Sequence, residues 1–262
     1  MKPTWRMARE AVIYFITAVA IVTVWWICVR VTGVKEYLLP NPFHVFSNMW
    51  NERASLLHET GVTAWETILG FAASVVVAIP LAVIMAEWRL AYSLGYPFVV
   101  ALQTLPKVAV APLLVVALGF GIAPKIIVVV LVAFFPIVIN ALTGFRTVDA
   151  DMHNLGRILG FGRLKFFCRI ALPQALPSIF AGLKVAMTLA LIGAVVAEFV
   201  GADEGLGHLL LSAAAQLDSI LSFSALIGLT FLGLVLYAAV ALLEWIAVPW
   251  RRIPESELAA GR

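Results

Sequence analysis

Charged residues are scarce. Only 13% of the 262 residues are Asp, Glu, Lys or Arg, while 63% are hydrophobic. A soluble globular chain carries about 25% charged and 45–50% apolar residues, so this one has too few charges to clothe a water-facing surface. The bilayer must serve as solvent for much of it. Cysteine is nearly missing: Cys28 falls in an apolar run and Cys168 in a basic loop, expected on opposite membrane faces. That placement excludes a disulfide framework and a thiolate metal site. The four histidines, His44, His58, His153 and His208, are scattered without metal-ligand spacing. No patch interleaves basic with aromatic residues, so nucleic acid is not an expected partner. No G-x-x-x-x-G-K-[ST] is present, hence no phosphate-cradling loop. The nearest imitation, 119–125, has Pro124 and lacks the hydroxyl.

Enzyme chemistry inside the membrane would need a nucleophile and base converging at one depth. Ser74, Ser212 and Ser224 have no histidine expected at their level. A self-sufficient secondary transporter would typically show an internal repeat of spans, and none is evident.

Apolar runs are what the sequence has in abundance. A spanning helix takes about 20 mostly apolar residues, and six stretches qualify: 11–30, 61–87, 95–118, 125–145, 175–200 and 221–248. The run after Lys2, Arg6 and Arg9 is too long for the roughly 7–15-residue core of a cleavable signal, so it is read as a retained first helix. Between the first two spans, Leu39-Pro40-Asn41-Pro42 is followed by Phe43, Val45, Phe46, Met49, Trp50 and Leu56. That spacing predicts a short amphipathic helix on the membrane surface. One membrane domain is expected over 1–262, with its core at about 55–250.

Basic residues set the orientation. With a cytoplasmic N-terminus, Arg89, Arg146, Arg157, Arg163, Lys165, Arg169, Lys184, Arg251, Arg252 and Arg262 join the N-terminal cluster at the inner face. Only Arg30, Lys35, Arg53 and Lys125 fall outside. Both termini are therefore expected in the cytoplasm. Pro80, Pro106, Pro112, Pro136 and Pro177 interrupt spans; lipid cannot repair the lost donors, which points to a bundle interior.

The longest polar interval, 146–174, reads RTVDADMHNLGRILGFGRLKFFCRIALPQ. Leu155, Ile158, Leu159, Leu164, Phe166, Phe167 and Ile170 make it too apolar for a solvated linker. Asp149 or Asp151 can cap a short helix, Gly160 and Gly162 then break it, a second basic helix follows, and Pro173 starts the fifth span. Exposed apolar residues on such a hairpin mark a docking element; an amphipathic hairpin lying on lipid is the alternative.

This interval resembles the cytoplasmic EAA loop of binding-protein-dependent ABC importer permeases. Gly160, the run Ile170-Ala171-Leu172-Pro173, and Ala175-Leu176-Pro177 match the family pattern, whereas Asn154-Leu155-Gly156 stands where the family has Glu-Ala-Ala. The stretches LLPNPFHVF (38–46), TLPKVAVAPLLVVALGFGIAPK (104–125), FFPIVIN (134–140) and AEFVGADEGLGHLL (197–210) resemble the nitrate, sulfonate, taurine and thiamine-precursor branch. The resemblance implies an all-α, type I ABC importer permease-like bundle in a bacterial inner membrane. It implies a second permease chain forming a homodimer, two ATPase subunits that bind the ATP, and a periplasmic or lipid-anchored substrate-binding protein. No cofactor of the chain's own is expected. The implied ATPase-coupling residues are Asp151, Asn154, Leu155, Gly156, Arg157, Leu159, Gly160, Leu172 and Pro173. For the cargo, PKVAVAP and KVAMTLALIGAVVAEFVGADEGLG look closer to permeases for thiamine-precursor pyrimidines or riboflavin, with small anions still open.

Polar groups at membrane depth are expensive and face a partner or a cavity. Glu66, Gln103, Lys107, Asn140 and Glu198 are therefore candidates for the translocation path, or else pair with one another, for example Glu198 with Lys107. Gln103 and Asn140 can both donate and accept, which suits contact with a substrate. Glu244 is expected to snorkel or to pair with Arg251, and Lys184 to snorkel likewise. Gly201, Gly205 and Gly207, with Asp203 and Glu204, predict a turn into a re-entrant helix at 206–217, read either as an outer gate or binding-protein contact or as an ordinary turn.

Overall fold

A computed structural model describes residues 4–148 and 150–252, and within them all side chains except those of 4–11, 14, 15, 18, 150, 153, 251 and 252. The described residues fold into helices: α1 (Thr4–Thr32), α2 (Pro42–Asn51), α3 (Arg53–Glu87), α4 (Arg89–Thr104), α5 (Lys107–Leu118), α6 (Ile122–Arg146), α7 (Ala150–Ile158), α8 (Arg163–Phe166), α9 (Leu172–Gly201), α10 (Leu206–Ala215) and α11 (Ser219–Ala247). Helices α3, α6, the continuous run Arg163–Gly201, and α11 are each long and apolar enough to cross a membrane. The first expected span, 11–30, lies inside α1, partly on residues whose side chains are not described.

The third expected span is not one straight helix. Helices α4 and α5 meet at an 89° bend. Leu105 is extended (φ −62°, ψ 132°) because the ring of Pro106 excludes the helical conformation from the residue before it. Hydropathy over 95–118 is blind to such a bend, so the run read as a single span.

The start of the fifth span also differs. Helix α8 continues into α9 through a π turn, Phe167–Ala171, in which the Leu172 N–H reaches back five residues to the Phe167 carbonyl. Pro173 has no N–H to give, and the wide turn accommodates its ring without ending the helix. Only Pro136 and Pro177 of the five span prolines are partly buried. Pro80, Pro106 and Pro112 lie exposed on the single chain.

The core forms where α6 crosses α9 and α3, around Ala133, Ile137, Ala141, Ala175, Ala186, Ala190 and Ala194. Small side chains let helix backbones approach where lipid supplies no hydrophobic drive. A Cβ on Gly182 would sit 2.5 Å from the Asn140 Cβ, and one on Gly70 would sit 2.4 Å from Val129. A second cluster, including Leu191, Leu206, Leu232 and Leu236, joins α9, α10 and α11. The expected amphipathic helix is α2. Asn41 caps it by accepting from the Phe43 N–H at 3.1 Å, Val45 is buried, and Phe43 and Trp50 are exposed.

Candidate functional site

The hairpin at 150–166 is built by short-range chemistry. Asp151 lies in the first turn of α7 and Arg157 in the last, each favoured by the helix dipole; Asp149 lies outside the described residues. At the C-terminus, the Phe161 N–H donates to the Gly156 carbonyl (2.9 Å) and the Gly160 N–H to the Arg157 carbonyl (3.0 Å). This is the Schellman pattern, and it puts Gly160 at φ +65°, where a side chain is strained. Gly156 is buried because the return arm crosses it: a Cβ there would lie 2.6 Å from the Phe166 ring. Phe167 stacks on Phe145 at 5.6 Å, tying the arm to α6.

That closure sorts the apolar residues. Phe166, Phe167 and Ile170 turn inward, while Ile158 is 83% and Leu164 77% exposed, with Leu155 and Leu159 also open. Asp151, Asn154 and Arg157 are exposed beside them, and Leu172 and Pro173 are half-buried in the stem.

The candidate path residues separate into two groups. Glu198 is 1% exposed and Thr63 fully buried. The Thr63 hydroxyl donates to Glu198 Oε1 at 2.7 Å, and Glu198 Oε2 accepts from the Gly207 N–H at 2.6 Å. Thr63 Oγ1 also accepts from the Leu206 N–H at 2.8 Å, and Glu59 Oε2 accepts from the Gly205 N–H at 2.5 Å. The first N–H groups of α10 are thus capped by side chains of α3 and α9. One turn along α3, buried Glu66 accepts from Lys125 Nζ at 2.6 Å.

The expected Glu198–Lys107 pair does not form. Lys107 Nζ instead donates to the Gln103 carbonyl at 3.1 Å on the bent α4–α5 segment. Lys125, counted among outer surface charges, is buried and is the cation that a membrane-depth carboxylate requires. Glu244 pairs with Lys184 at 2.7 Å. The Asn140 amide donates to the Pro136 carbonyl of its own helix at 2.8 Å, and Asn140 is only half-buried. Gln103 and Thr104 are exposed at the bend. Glu59, Thr63 and Lys125 were not singled out from the sequence, although Glu59, Thr63 and Glu66 fall at i, i+4 and i+7, one polar stripe on an apolar helix. Among the described residues no group of three His, Cys, Asp or Glu side chains is placed to hold a metal ion.

Residues 78–248 match the family described as the binding-protein-dependent transport system inner membrane component. The chain belongs to this family. The permease is 34% identical over 247 residues to the formylaminopyrimidine transport permease protein ThiX of Halalkalibacterium halodurans, covering 94% of this chain and 97% of that one. It is 32% identical to the riboflavin transport system permease protein RibX of Chloroflexus aurantiacus (90% and 88% covered). It is 30% identical to the putative aliphatic sulfonates transport permease protein SsuC of Escherichia coli (88% and 89%). Its fold matches a chain of the MetNI methionine ABC transporter in an inward-facing conformation, with a TM-score of 0.66 at 16% identity over 75% of this chain and 98% of that one. The permease is an all-α, multi-pass subunit of an ABC importer with the type I bundle.

Proposed function

We propose that this permease forms half of a translocation path, as a homodimer, and is driven by a separate ATPase that grips the 151–163 hairpin from the cytoplasm. The observation that carries the reading is the exposed apolar ridge of Leu155, Ile158, Leu159 and Leu164, with Met152 also exposed, on a hairpin whose phenylalanines are partly buried. A ridge of that kind in the aqueous phase needs a protein cover. Asp151, Asn154 and Arg157 frame it, Gly156 and Gly160 fix its shape, and Leu172 and Pro173 carry its motion into α9. ATP is bound by the partner, both termini face the cytoplasm, and a binding protein delivers substrate on the other side.

Within the membrane, Gln103 and Lys107 at the α4–α5 bend are the residues we place on the path. Glu66 and Glu198 hold helices together, through Lys125 and through Thr63 and the Gly207 N–H, while Asn140 is held by the Pro136 carbonyl of its own helix. The substrate we favour is a small heteroaromatic vitamin precursor, in keeping with the relatives named for formylaminopyrimidine and riboflavin. A small anion is the competing cargo, favoured by the sulfonate relative and by the Lys107 ammonium.

Proteoliposomes holding the permease, its ATPase and its binding protein provide the test. Uptake of a formylaminopyrimidine or riboflavin that requires ATP and all three components is expected. Uptake by the permease alone would refute the coupled mechanism, and uptake of taurine but neither heteroaromatic would move the cargo to the anion class.

A further inference from the structure

The buried polar groups shared by α3, α6, α9 and α10 do not balance as they stand. Glu66 and Glu198 bring two carboxyl groups, 4% and 1% exposed, and Lys125 brings one ammonium. Lys125 Nζ donates to Glu66 Oε1. Glu198 Oε1 accepts from Thr63 and Oε2 from the Gly207 N–H. Glu66 Oε2 is left over: it is buried, and among the described residues nothing donates to it. A buried acceptor without a donor is rare in a folded protein and calls for a physical reason.

The group beside that oxygen is the Glu198 carboxyl. Thr63 and Glu66 lie three residues apart on α3, neighbours on one helix face, and the Glu198 side chain reaches α3 at Thr63. There it comes within hydrogen-bonding reach of Glu66, and the Lys125 charge acts on both carboxyl groups. An ionised carboxyl can only accept; it donates when it carries a proton. Two ionised carboxyls in contact would repel each other and leave one buried charge unmatched by Lys125. A metal cation is a poorer remedy, because Lys125 Nζ already stands 2.6 Å from the other oxygen of Glu66. The recess beside Lys125, between Val115, Val128 and Ala197, has no room for a water molecule.

We propose that Glu66 and Glu198 form a proton-binding site, in which the Glu198 carboxyl carries one proton and donates it in a hydrogen bond to Glu66 Oε2. That proton gives the leftover oxygen its donor. It also leaves the cluster with one carboxylate, Glu66, and one ammonium, Lys125, so the buried charges cancel. The bond it makes joins α9 to α3 beside the start of α10, where both helices already supply the caps. The proton belongs to the pair and not to either residue alone. With one carboxyl replaced by an amide, the amide N–H becomes the donor, and the remaining carboxyl is matched by Lys125 and stays ionised.

Infrared spectroscopy of the full-length permease, at neutral pH in a detergent without ester groups, reads the proton directly. The wild type should show the carbonyl stretch of a protonated carboxyl, above the amide bands and shifted down in D2O. The band should be lost in Glu198→Gln and equally in Glu66→Gln, since either amide removes the need for the proton. Thermal unfolding of the wild type in sodium chloride and in choline chloride should coincide, because the occupant is not a metal ion. A wild-type spectrum without the band overturns the proposal whether or not the variants fold. So does a band that survives either substitution, or a melting temperature that rises in sodium over choline.

Discussion

Glu198 shows how one buried side chain organises an end of the molecule. Its two oxygens serve Thr63 on α3 and the Gly207 N–H at the start of α10, so it joins three helices. Glu198→Ala would leave the buried Gly207 N–H without its acceptor, worth about 1–3 kcal/mol, and would leave the Thr63 hydroxyl only the longer bond to the Glu59 carbonyl at 3.2 Å. Thermal unfolding of the purified permease should shift down markedly, with Glu198→Gln retaining part of the loss because its carbonyl still accepts one bond. An unchanged melting temperature for Glu198→Ala would show that α10 is held by packing alone. The Lys125–Glu66 pair makes a second prediction. Removing one partner of a buried ion pair costs about 3–5 kcal/mol, while replacing both with apolar residues of similar volume is near neutral. Lys125→Met should therefore destabilise the permease strongly, and adding Glu66→Leu should restore most of the stability, as read by the same melts. The sequence did reveal that membrane-depth carboxylates need partners. It did not reveal which ones, because Lys125 lies next to a Gly-Pro-rich loop and reads as an outer charge until α6 is seen to begin before it, at Ile122.

At the scale of elements, the apolar runs gave three of the spans to within about three residues and α3 short by eight at its start, since length and hydropathy are what a bilayer selects. The bend at Leu105-Pro106 escaped because hydropathy sums over a window and ignores direction. The π turn at Phe167–Ala171 escaped because nothing in a residue pattern distinguishes a helix that stops at Pro173 from one that widens to pass it. The hairpin was more legible: glycines, a cap and apolar residues at short range are local chemistry. What remained hidden was the fit of Gly156 against Phe166. Gly156→Leu should splay the hairpin, and Phe166→Ala in the same chain should partly restore it, visible as loss and recovery of protection from limited proteolysis at 150–166. Gly160→Val, forced to adopt φ +65°, should reduce coupling of ATP hydrolysis to uptake with little effect on the spans. Uptake and hydrolysis that stay in their wild-type ratio in that variant would remove the hairpin from the coupling route.

Taken whole, the permease exposes much of its apolar surface to lipid, and its buried polar groups are largely paired within the bundle. The bent α4–α5 segment and the 151–163 hairpin are the two places where shape or exposure departs from what lipid alone requires. Those are the parts to which a path and a motor are assigned. The central claim is that the ridge of Ile158 and Leu159 seats in the ATPase. Its most direct measurement is co-purification of the tagged permease with its ABC ATPase, in wild type and in Ile158→Glu/Leu159→Glu. The account predicts a stable complex for the wild type and its loss in the double variant, with the permease still folded and inserted. An ATPase that binds both forms equally, or neither, would contradict it.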